Sequence, residues 1–358
     1  MKTQIPLLAV VAIALLPTVP LAGTITVREQ SRLALDAGAI TGVRVDNPRG
    51  LVEVRPSADG RIHVTALKLA TASESSRAQE FARLTRVETA TESGTFAVHV
   101  IYPQRRAIQV SLWRFFKGEF DFPGVEVRLA VEVPARLPVE LRAASGDLRT
   151  SDLAGSQTLQ TASGDIEVRG AGAPVSIATT SGSVAASGLA RARVRSVSGD
   201  VTLDGLRGPL SLRTTSGDIE VNGAADSLDL GTVSGDITVE HAPRGIEAGT
   251  TSGDITVDGV AAGTVDLHSV SGEIHCGFDR GLRRADASTV SGDIQVRLGE
   301  GPGYALALST TSGTIDSSVP LQIRTATRRQ MSGSVRGGGA PVVLHSASGD
   351  IAVTGGGR

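Results

Sequence analysis

Residues 250–259 read TTSGDITVDG, and close variants of this phrase recur through the second half of the 358-residue chain. Twelve of the chain's Ser-Gly pairs, including the one at the centre of this phrase, form a series with intervals of 16 to 21 residues. That period is too short for a helical repeat or a propeller blade, so each unit predicts one turn of a β-solenoid. The twelve serines are Ser145, Ser163, Ser181, Ser198, Ser216, Ser234, Ser252, Ser271, Ser291, Ser312, Ser332 and Ser348.

The residues after each Ser-Gly pair alternate between apolar and polar side chains. In the quoted repeat Ile255 and Val257 are the apolar positions, which indicates a strand with one buried face. A second alternating pair, such as Val265 and Leu267, leads back to the next Ser-Gly pair. Two strands per coil give two parallel sheets about 10 Å apart. The predicted fold is all-β, a parallel β-solenoid of about twelve coils of about 18 residues with two short strands per coil, and a β-rich N-terminal cap.

The composition limits the classes of function. The chain has 43 glycines and only 3% aromatic residues, which predicts a thin core. Cys276 is the only cysteine, so an intramolecular disulfide is excluded. With 35 basic and 37 acidic residues there is no polyelectrolyte character, and nucleic acid is not a predicted partner. Beyond the N-terminus no apolar run reaches the ~18 to 20 residues that a membrane helix needs.

The N-terminus has the layout of a secretory signal peptide. Lys2 is followed by an apolar run from Ile5 to Leu16 and by a stretch of small residues. We expect cleavage after Ala22 or Gly23. The following residue is Thr24, where a lipoprotein would carry its lipidated cysteine. The sequence therefore predicts an exported protein, periplasmic or extracellular, that is not lipidated.

Three segments are predicted: a signal peptide (1–23), a β-rich N-terminal capping region with an aromatic insert (24–141) and a β-solenoid repeat domain (142–358). The capping region is aperiodic. Within it the stretch SESSRAQEFARLTRVE (73–88) predicts a short amphipathic helix or a long loop, with Phe81 and Leu84 as its apolar face. Strands are predicted at 42–47, 51–56, 61–67, 95–101 and 125–134.

The aromatic residues are concentrated in one short segment. Seven of the ten lie between Phe96 and Phe122, most of them in SLWRFFKGEFDF (111–122). Two interpretations stay open: a hydrophobic plug on the cap or sheet, or an exposed loop that contacts a partner or a membrane. On the second interpretation the candidate partner-binding residues are Trp113, Phe115, Phe116 and Phe120.

Two further positions of the repeat have predicted structural roles. The threonine two residues before each serine, Thr250 in the quoted phrase, predicts a ladder of hydroxyl groups that bond from coil to coil. The glycine indicates a corner that is either crowded or has a positive φ.

The acidic position after the glycine predicts a line of stacked carboxylates: Asp200, Asp218, Asp236, Asp254, Glu273 and Asp293. Like charges about 5 Å apart repel by about 3 kcal/mol at an effective dielectric near 20. Either each carboxylate accepts hydrogen bonds from backbone N–H groups, or the line binds cations such as Ca²⁺. The Gly-Gly-x-Gly-x-Asp motif of calcium-binding β-rolls is absent from the sequence.

Catalytic motifs are absent from the sequence. There is no nucleophile elbow, phosphate-binding loop, HExxH or Ser-x-x-Lys pattern. Cys276 occupies an inward position and predicts a buried, inert thiol. A metal cluster of His268, Glu273 and His275 is a weaker alternative to three solvated side chains. We expect no enzyme activity and no cofactor, with a polysaccharide-active β-helix as the enzymatic alternative and a cation- or ice-binding repeat surface as another.

The Ser-Gly-Asp-Ile-x-Val repeat, behind a signal peptide and a β-rich leader, resembles a widespread bacterial family of adhesin-like β-solenoids whose function is unknown. The resemblance covers roughly residues 40 to 358 and implies an exported or envelope protein. It supplies no catalytic residues. The predicted function is a non-catalytic, exported scaffold or adhesin-like binding protein of the bacterial cell envelope, whose partner is an envelope protein or a surface glycan. Because the chain stops soon after GDIAVT (349–354), we also expect end-to-end self-association through an uncapped C-terminal coil.

Overall fold

The structure is a computed structural model, and it contains two compact units, Met1–Val168 and Arg169–Arg358. The predicted signal peptide (1–23) lies outside the residues that the structure describes. The described residues are 25–103, 124–223, 226–241, 244–260, 263–279, 281–300 and 303–355.

The described residues of the first unit form two sheets and one helix. The helix is α1 (Ser75–Leu84). The strands are β1 (Ile25–Leu35), β2 (Gly42–Asp46), β3 (Val52–Pro56), β4 (Ile62–Ala72), β5 (Arg86–Glu92), β6 (Thr95–Ile101), β7 (Gly124–Val133), β8 (Val139–Arg142), β9 (Leu148–Ser151) and β10 (Gln157–Gln160), with β11 (Ile166–Arg169) at the division between the units. One sheet has the order β1-β4-β7-β3-β9, and the other has the order β10-β8-β2-β6-β5.

The first coil of the solenoid lies well upstream of the first Ser-Gly pair. Strands β2 and β3 pair in parallel with β8 and β9, the strands of the next coil. The corner between them is formed by residues 47–50, and Arg49 bridges to Ser145. A Cβ atom on Gly146 would lie 2.2 Å from the carbonyl oxygen of Gly50, so the two corners are in close contact. The corner Asn-Pro-Arg-Gly lacks the Ser-Gly signature, which is why the repeat pattern does not reveal this coil. The boundary at residues 141 and 142 stays a prediction.

The helix packs on the sheet of the first unit. The predicted helix is confirmed, but its buried residues are Ala78 and Ala82, with Phe81 partly buried against them. Leu84 is 42% exposed, so its predicted place on the apolar face is wrong. The small side chains of α1 allow a close approach to Ala70 of β4. Within the described residues no helix is long and apolar enough to cross a membrane.

The second unit consists of short strands in two sheets. They are β12 (Pro174–Ala178), β13 (Val184–Ser187), β14 (Arg191–Arg195), β15 (Val201–Asp204), β16 (Leu210–Arg213), β17 (Ile219–Asn222), β18 (Leu228–Gly231), β19 (Ile237–Glu240), β20 (Gly245–Ser252), β21 (Ile255–Val260), β22 (Gly263–Ser271), β23 (Ile274–Phe278), β24 (Leu282–Ser291), β25 (Ile294–Leu298), β26 (Gly303–Ser312), β27 (Ile315–Ser317), β28 (Gln322–Ala326), β29 (Gln330–Val335), β30 (Gly339–Ser348) and β31 (Ile351–Gly355).

Equivalent strands of successive coils pair in parallel and in register. Ile255 of β21 pairs with Ile237 on one side and with Ile274 on the other. All three side chains are fully buried. The β-branched side chains stack in ranks between the sheets, which is the environment that favours them in strands. The predicted parallel β-solenoid is confirmed, and the described residues form twelve coils with two strands each.

The coils do not stack in chain order at the C-terminal end. Strand β31 lies between β25 and β27, where Ile351 pairs with both Ile294 and Ile315. Strand β30 lies in the same way between β24 and β26. The last coil of the chain is therefore inserted into the stack, and the coil of β26 and β27 lies outside it.

The predicted self-association through an uncapped C-terminal coil is wrong, because the last coil of the chain does not lie at the end of the stack. Both edges of β31 and of β30 are already hydrogen-bonded to neighbouring strands. The Ser-Gly pair at Ser332 does not form a coil corner, because it lies in β29, which pairs antiparallel with β26 and with β28. The β28–β29 hairpin covers the outer edge of β26, and it is itself interrupted by a bulge between Ile323 and Thr325. Bulges and covered edges are devices that prevent strand addition.

Candidate functional site

The threonine of the Ser-Gly corner contacts the neighbouring coil. The Thr250 hydroxyl donates a hydrogen bond to the carbonyl oxygen of Gly235 at 3.2 Å. The Thr289 hydroxyl donates to the carbonyl oxygen of Gly272 at 3.1 Å. The predicted coil-to-coil ladder is confirmed, with the glycine carbonyl as the acceptor. This bond satisfies a carbonyl group at a corner where the strand ladder is interrupted.

The burial of these threonines removes one alternative function. An ice-binding surface made of Thr-x-Ser ranks requires threonine side chains that face water. Thr250 is 6% exposed and Thr289 is 2% exposed, because both side chains point into the corner. The prediction of an ice-binding surface built on these ranks is therefore wrong.

The corner glycine is required by crowding. A Cβ atom on Gly253 would lie 2.1 Å from the carbonyl oxygen of Gly235, and a Cβ atom on Gly217 would lie 2.3 Å from that of Gly199. None of these glycines has a positive φ. Of the two predicted alternatives, the crowded corner is confirmed. Each coil stacks on the next at its corner through bare backbone.

Positive φ angles occur instead at the far end of the strand that follows the Ser-Gly corner. Gly205, Gly223 and Gly259 have φ between 61° and 72°. His241 occupies the equivalent position between Gly223 and Gly259, with φ of 59°. A side chain in this left-handed region costs free energy that glycine avoids.

The predicted acidic line is formed by contacts between backbone and side chain. Oδ1 of each aspartate accepts a hydrogen bond from the backbone N–H of the acidic residue one coil further along. The N···Oδ1 distances are 3.1 Å from Asp218 to Asp200, 2.9 Å from Asp236 to Asp218, 2.8 Å from Asp254 to Asp236 and 2.8 Å from Glu273 to Asp254. Hydrogen bonds to charged groups are among the stronger ones in proteins, and they offset the repulsion between neighbouring carboxylates.

The inserted last coil extends the line. The Asp350 N–H donates to Oδ1 of Asp293 at 2.8 Å. The backbone N–H and the hydroxyl of Thr314 both donate to Oδ1 of Asp350, at 2.7 Å and 2.9 Å. The Thr314 backbone N–H, and after it the hydroxyl, lower the pKa of the Asp350 carboxyl. Sequence order places Asp350 far from Asp293, so the repeat spacing alone does not predict this contact.

Cation binding by the acidic line stays a prediction. One oxygen of each aspartate in the line is committed to a backbone N–H group. Among the residues that the structure describes, no group of three or more His, Cys, Asp and Glu side chains is arranged to hold a metal ion. The structure also separates the proposed cluster of His268, Glu273 and His275. His268 lies in β22 and His275 in β23, and these strands belong to different sheets.

His268 instead belongs to a polar network on the outer face of its own sheet. Its Nε2 atom lies 2.7 Å from Oδ1 of Asp266, and its Nδ1 atom lies 2.7 Å from the Ser288 hydroxyl. An acid, a base and a hydroxyl in this order are the components of a catalytic triad. The side chains of His268 and Asp266 are 56% and 51% exposed. Oxyanion stabilisation is strong only in a water-excluded site, which these exposed side chains do not provide.

Cys276 is buried in the core of the second unit. Burial, and to a smaller extent the charge of Asp258, raise the pKa of its thiol to about 12. At neutral pH the group is therefore a neutral thiol, and the thiolate is the nucleophilic form. The predicted buried thiol is confirmed.

The described flanks of the aromatic insert form a hydrogen-bonded base in the first unit. Tyr102 follows β6, and its hydroxyl donates to the carbonyl oxygen of Arg49 at 2.6 Å. The same hydroxyl lies 3.1 Å from Oδ1 of Asn47 and accepts the N–H of Val127 at 3.2 Å. Nδ2 of Asn47 donates to the carbonyl oxygen of Val127 at 2.8 Å. Burial raises the pKa of Tyr102, so the hydroxyl keeps its proton. This network joins both flanks of the insert to the corner of the first coil.

A groove of about 580 Å³ lies beside this base. Its lining includes Arg49, Gly124, Arg128, Asp147 and Arg149. The guanidinium group of Arg49 lies over the ring of Tyr102, at 5.8 Å from the ring centroid. The groove therefore combines cationic and anionic side chains at the base of the insert.

The candidate contact residues Trp113, Phe115, Phe116 and Phe120 lie outside the residues that the structure describes. Both interpretations of the insert stay predictions.

Comparison with known proteins identifies the family. A family model described as Toastrack DUF4097 matches residues 41–248 and 246–354. The chain belongs to the Toastrack DUF4097 family. The Toastrack match begins one residue before β2. It therefore includes the first coil of the solenoid, which lacks a Ser-Gly corner. No curated protein matches the chain.

Several solved structures are similar to this Toastrack chain. A candidate cell adhesion protein from Clostridium sporogenes is 8% identical, with 92% of this chain and 100% of that chain covered and a TM-score of 0.23. A candidate adhesin from Bacteroides fragilis is 10% identical, with coverage of 91% and 97% and a TM-score of 0.26. A candidate lipid-binding protein from Parabacteroides distasonis is 12% identical, with coverage of 92% and 97% and a TM-score of 0.32.

Proposed function

We propose that this Toastrack protein is a non-catalytic, exported, adhesin-like binding protein of the bacterial cell envelope, with the solenoid as its scaffold. One observation supports this proposal: the recurring polar groups form hydrogen bonds between neighbouring coils. The hydroxyl of Thr250 and the carboxylate of Asp236 both hold a neighbouring coil. Residues that recur in this way serve the architecture, so the binding chemistry is expected in features that do not repeat.

The aromatic insert is the proposed contact element. Its residues Trp113, Phe115, Phe116 and Phe120 are of the type that dominates binding interfaces. The hydrogen bonds of Tyr102 support this role, because a rigid base reduces the entropy that a binding segment loses on contact. The proposed partner is an envelope protein or a surface glycan.

Export is part of the proposal and is supported by the N-terminal sequence. Lys2, the apolar run from Ile5 to Leu16 and the small residues that follow have the layout of a signal peptide. The residue after the proposed cleavage site is Thr24, so we propose a protein without a lipid anchor, in the periplasm or outside the cell.

A co-sedimentation experiment tests the contact element. The chain from Thr24 onward, labelled at its N-terminus, is mixed with an isolated bacterial envelope fraction and centrifuged. We expect the protein to sediment with the envelope, and a triple variant of the insert to remain in solution with an unchanged melting temperature. The substitutions are Trp113→Ser, Phe115→Ser and Phe116→Ser.

A matched control replaces three exposed apolar residues of the second unit. Val197, Val233 and Val270 are 45%, 47% and 48% exposed at the Ser-Gly corners. Their combined replacement by serine removes three exposed apolar side chains elsewhere in the chain and should leave sedimentation unchanged. Equal sedimentation of the wild type and the insert variant would exclude the insert as the contact element.

The polysaccharide-active alternative has its own test. Purified envelope glycans are incubated with the wild type and with a variant carrying Asp236→Asn and Asp254→Asn. We expect no change in the glycans with either protein. Release of soluble fragments by the wild type, lost in the variant, would overturn the non-catalytic proposal.

A further inference from the structure

The outer face of one sheet in the second unit contains a polar groove that the repeat does not explain. It crosses β21, β23, β25 and β31 and encloses about 500 Å³. Hydrogen-bonding side chains from all four strands line it: Thr256, Asp258, His275, Gln295, Arg297 and Thr354. The volume is in the range of small-ligand sites.

Small residues form the floor of the groove. Gly277 pairs with Arg297, and Ala352 pairs with Gln295, so each small residue lies beside a long one in the neighbouring strand. A Cβ atom on Gly277 would lie 2.5 Å from Oδ1 of Asp258 and 2.8 Å from Nη2 of Arg297. Because Gly277 has no side chain, the side chains of Asp258 and Arg297 occupy the space above its strand, while Ala352 lines the groove itself.

An ion pair crosses this floor. Nη2 of Arg297 lies 2.7 Å from Oδ1 of Asp258, and the pair spans the intervening strand above Gly277. The two side chains are 61% and 54% exposed, and exposed ion pairs stabilise a fold only slightly. The main effect of the pair is to hold a guanidinium group and a carboxylate side by side, each with hydrogen-bonding capacity left toward solvent.

The charge and chemistry of the lining select a class of ligand. Asp258 and Arg297 balance each other, and Glu273 lies 3.6 Å from His275 at the margin. The balanced ion pair selects neither an anion nor a cation, and the Glu273 carboxylate at the margin disfavours an anion. A neutral molecule with adjacent hydroxyl groups suits every part of the lining. Its hydroxyls donate to Asp258 and accept hydrogen bonds from Arg297 and from the amide of Gln295.

The direction of the groove indicates an extended ligand. The lining residues come from four strands that follow one another along the stack, with about 4.8 Å between neighbours. We propose that this groove binds a neutral oligosaccharide, which lies across the four strands and is held by hydrogen bonds. The described lining contains no Trp, Tyr or Phe side chain, so stacking on one of these rings is not available and weak affinity is expected.

This site goes beyond the proposed contact element and does not depend on it. The groove lies in the second unit, and the insert belongs to the first. Loss of envelope binding on mutation of the insert would therefore leave the oligosaccharide proposal untouched, and failure of oligosaccharide binding would leave the insert proposal untouched.

Titration calorimetry with defined trisaccharides tests the groove. The probes are maltotriose, cellotriose and chitotriose, with tri-galacturonate as an acidic comparison. We expect at least one neutral trisaccharide to bind and tri-galacturonate to bind less well. Replacement of Gln295 by Leu and of Thr256 by Val should each weaken binding by about tenfold, because each removes a hydrogen-bonding group while retaining similar size.

The control variant is Thr202→Val. Thr202 has the same outward, half-buried position in β15 but does not line the groove. It should bind the trisaccharide like the wild type, and all three variants should keep the wild-type melting temperature. The proposal is overturned if no neutral trisaccharide binds up to about 10 mM, if tri-galacturonate binds best, or if the groove variants and the control bind equally well.

Discussion

The backbone N–H of Asp254 donates a hydrogen bond to Oδ1 of Asp236 at 2.8 Å, and the same contact recurs along the stack. Each carboxylate thus acts as an acceptor for the next coil. The arrangement explains how a line of like charges is compatible with a stable fold. It also predicts that the acceptor oxygen at this position matters more than the negative charge.

Asparagine and alanine at position 236 separate these two properties. Asp236→Asn retains an oxygen acceptor and removes one charge from the line, so stability should stay within about 0.5 kcal/mol of the wild type. Asp236→Ala removes the acceptor and should cost about 1 kcal/mol. Urea unfolding measures both values. If the line binds cations instead, millimolar Ca²⁺ will raise the melting temperature of the wild type above its value in EDTA, and Asp236→Asn will abolish that increase.

Gly253→Ala should destabilise the protein strongly. The added Cβ atom would lie 2.1 Å from the carbonyl oxygen of Gly235, and backbone on both sides of the contact has to move. Overpacking of this kind costs about 1–3 kcal/mol. Gly249→Ala is the matched control in the same coil, since its Cβ atom would have no neighbour closer than 3.8 Å. Equal melting temperatures for the two variants would contradict the crowded corner.

The sequence pattern predicts the strands but not the order of the coils. Alternation of apolar residues places Ile294, Ile315 and Ile351 correctly at the first inward position of their strands. All three are isoleucine residues after a Ser-Gly corner, so this position alone does not decide which strand lies next to Ile294. The choice is made by the β28–β29 hairpin, whose antiparallel pairing with β26 keeps that coil at the outside.

The candidate sites are harder to predict because their contacts are distant in sequence. The hydroxyl of Tyr102 meets the backbone of Arg49, 53 residues away, at a corner that lacks the repeat signature. Asp258 and Arg297 are 39 residues apart and face each other only because Gly277 intervenes. A regular period reports contacts between equivalent positions of adjacent coils. Tyr102 and Arg49 are not equivalent positions, and Asp258 and Arg297 are equivalent but two coils apart.

His241→Gly should stabilise the protein. His241 has φ of 59° at a position where Gly223 and Gly259 have φ of 67° and 72°. A side chain in this region costs roughly 1–2 kcal/mol, part of which is regained through the greater flexibility of glycine in the unfolded chain. A net gain of about 0.5–1 kcal/mol is expected in urea unfolding.

The reciprocal variant is Gly259→Ala in the next coil. The nearest atoms to its Cβ would be 3.5 Å away, so the change introduces a side chain at positive φ without a clash. It should destabilise by about 1–2 kcal/mol. If His241→Gly lowers stability, the imidazole makes a contact that outweighs the backbone strain, and the strain argument fails.

Tyr102→Phe should weaken the base of the aromatic insert. The hydroxyl is the acceptor for the Val127 N–H and the donor to the Arg49 carbonyl, and without it both groups lose a partner in a partly buried site. Loss of such a partner costs about 1–3 kcal/mol. Thermal unfolding measures the total, and hydrogen exchange at the Val127 amide, which should become faster, locates the effect.

Tyr304→Phe provides the comparison for Tyr102→Phe. Tyr304 is a buried tyrosine, whereas Tyr102 is partly buried, and the Tyr304 hydroxyl donates a single long hydrogen bond, at 3.5 Å, to the carbonyl oxygen of Gly299. Its removal should change the melting temperature little. Both substitutions delete one oxygen from a tyrosine ring, and the Tyr102 ring is the less buried of the two, so a larger loss for Tyr102→Phe reports the hydrogen-bond network and not the ring packing. Equal decreases in melting temperature would mean that the network does not stabilise the base of the insert. The argument that this base supports the contact element would then be wrong.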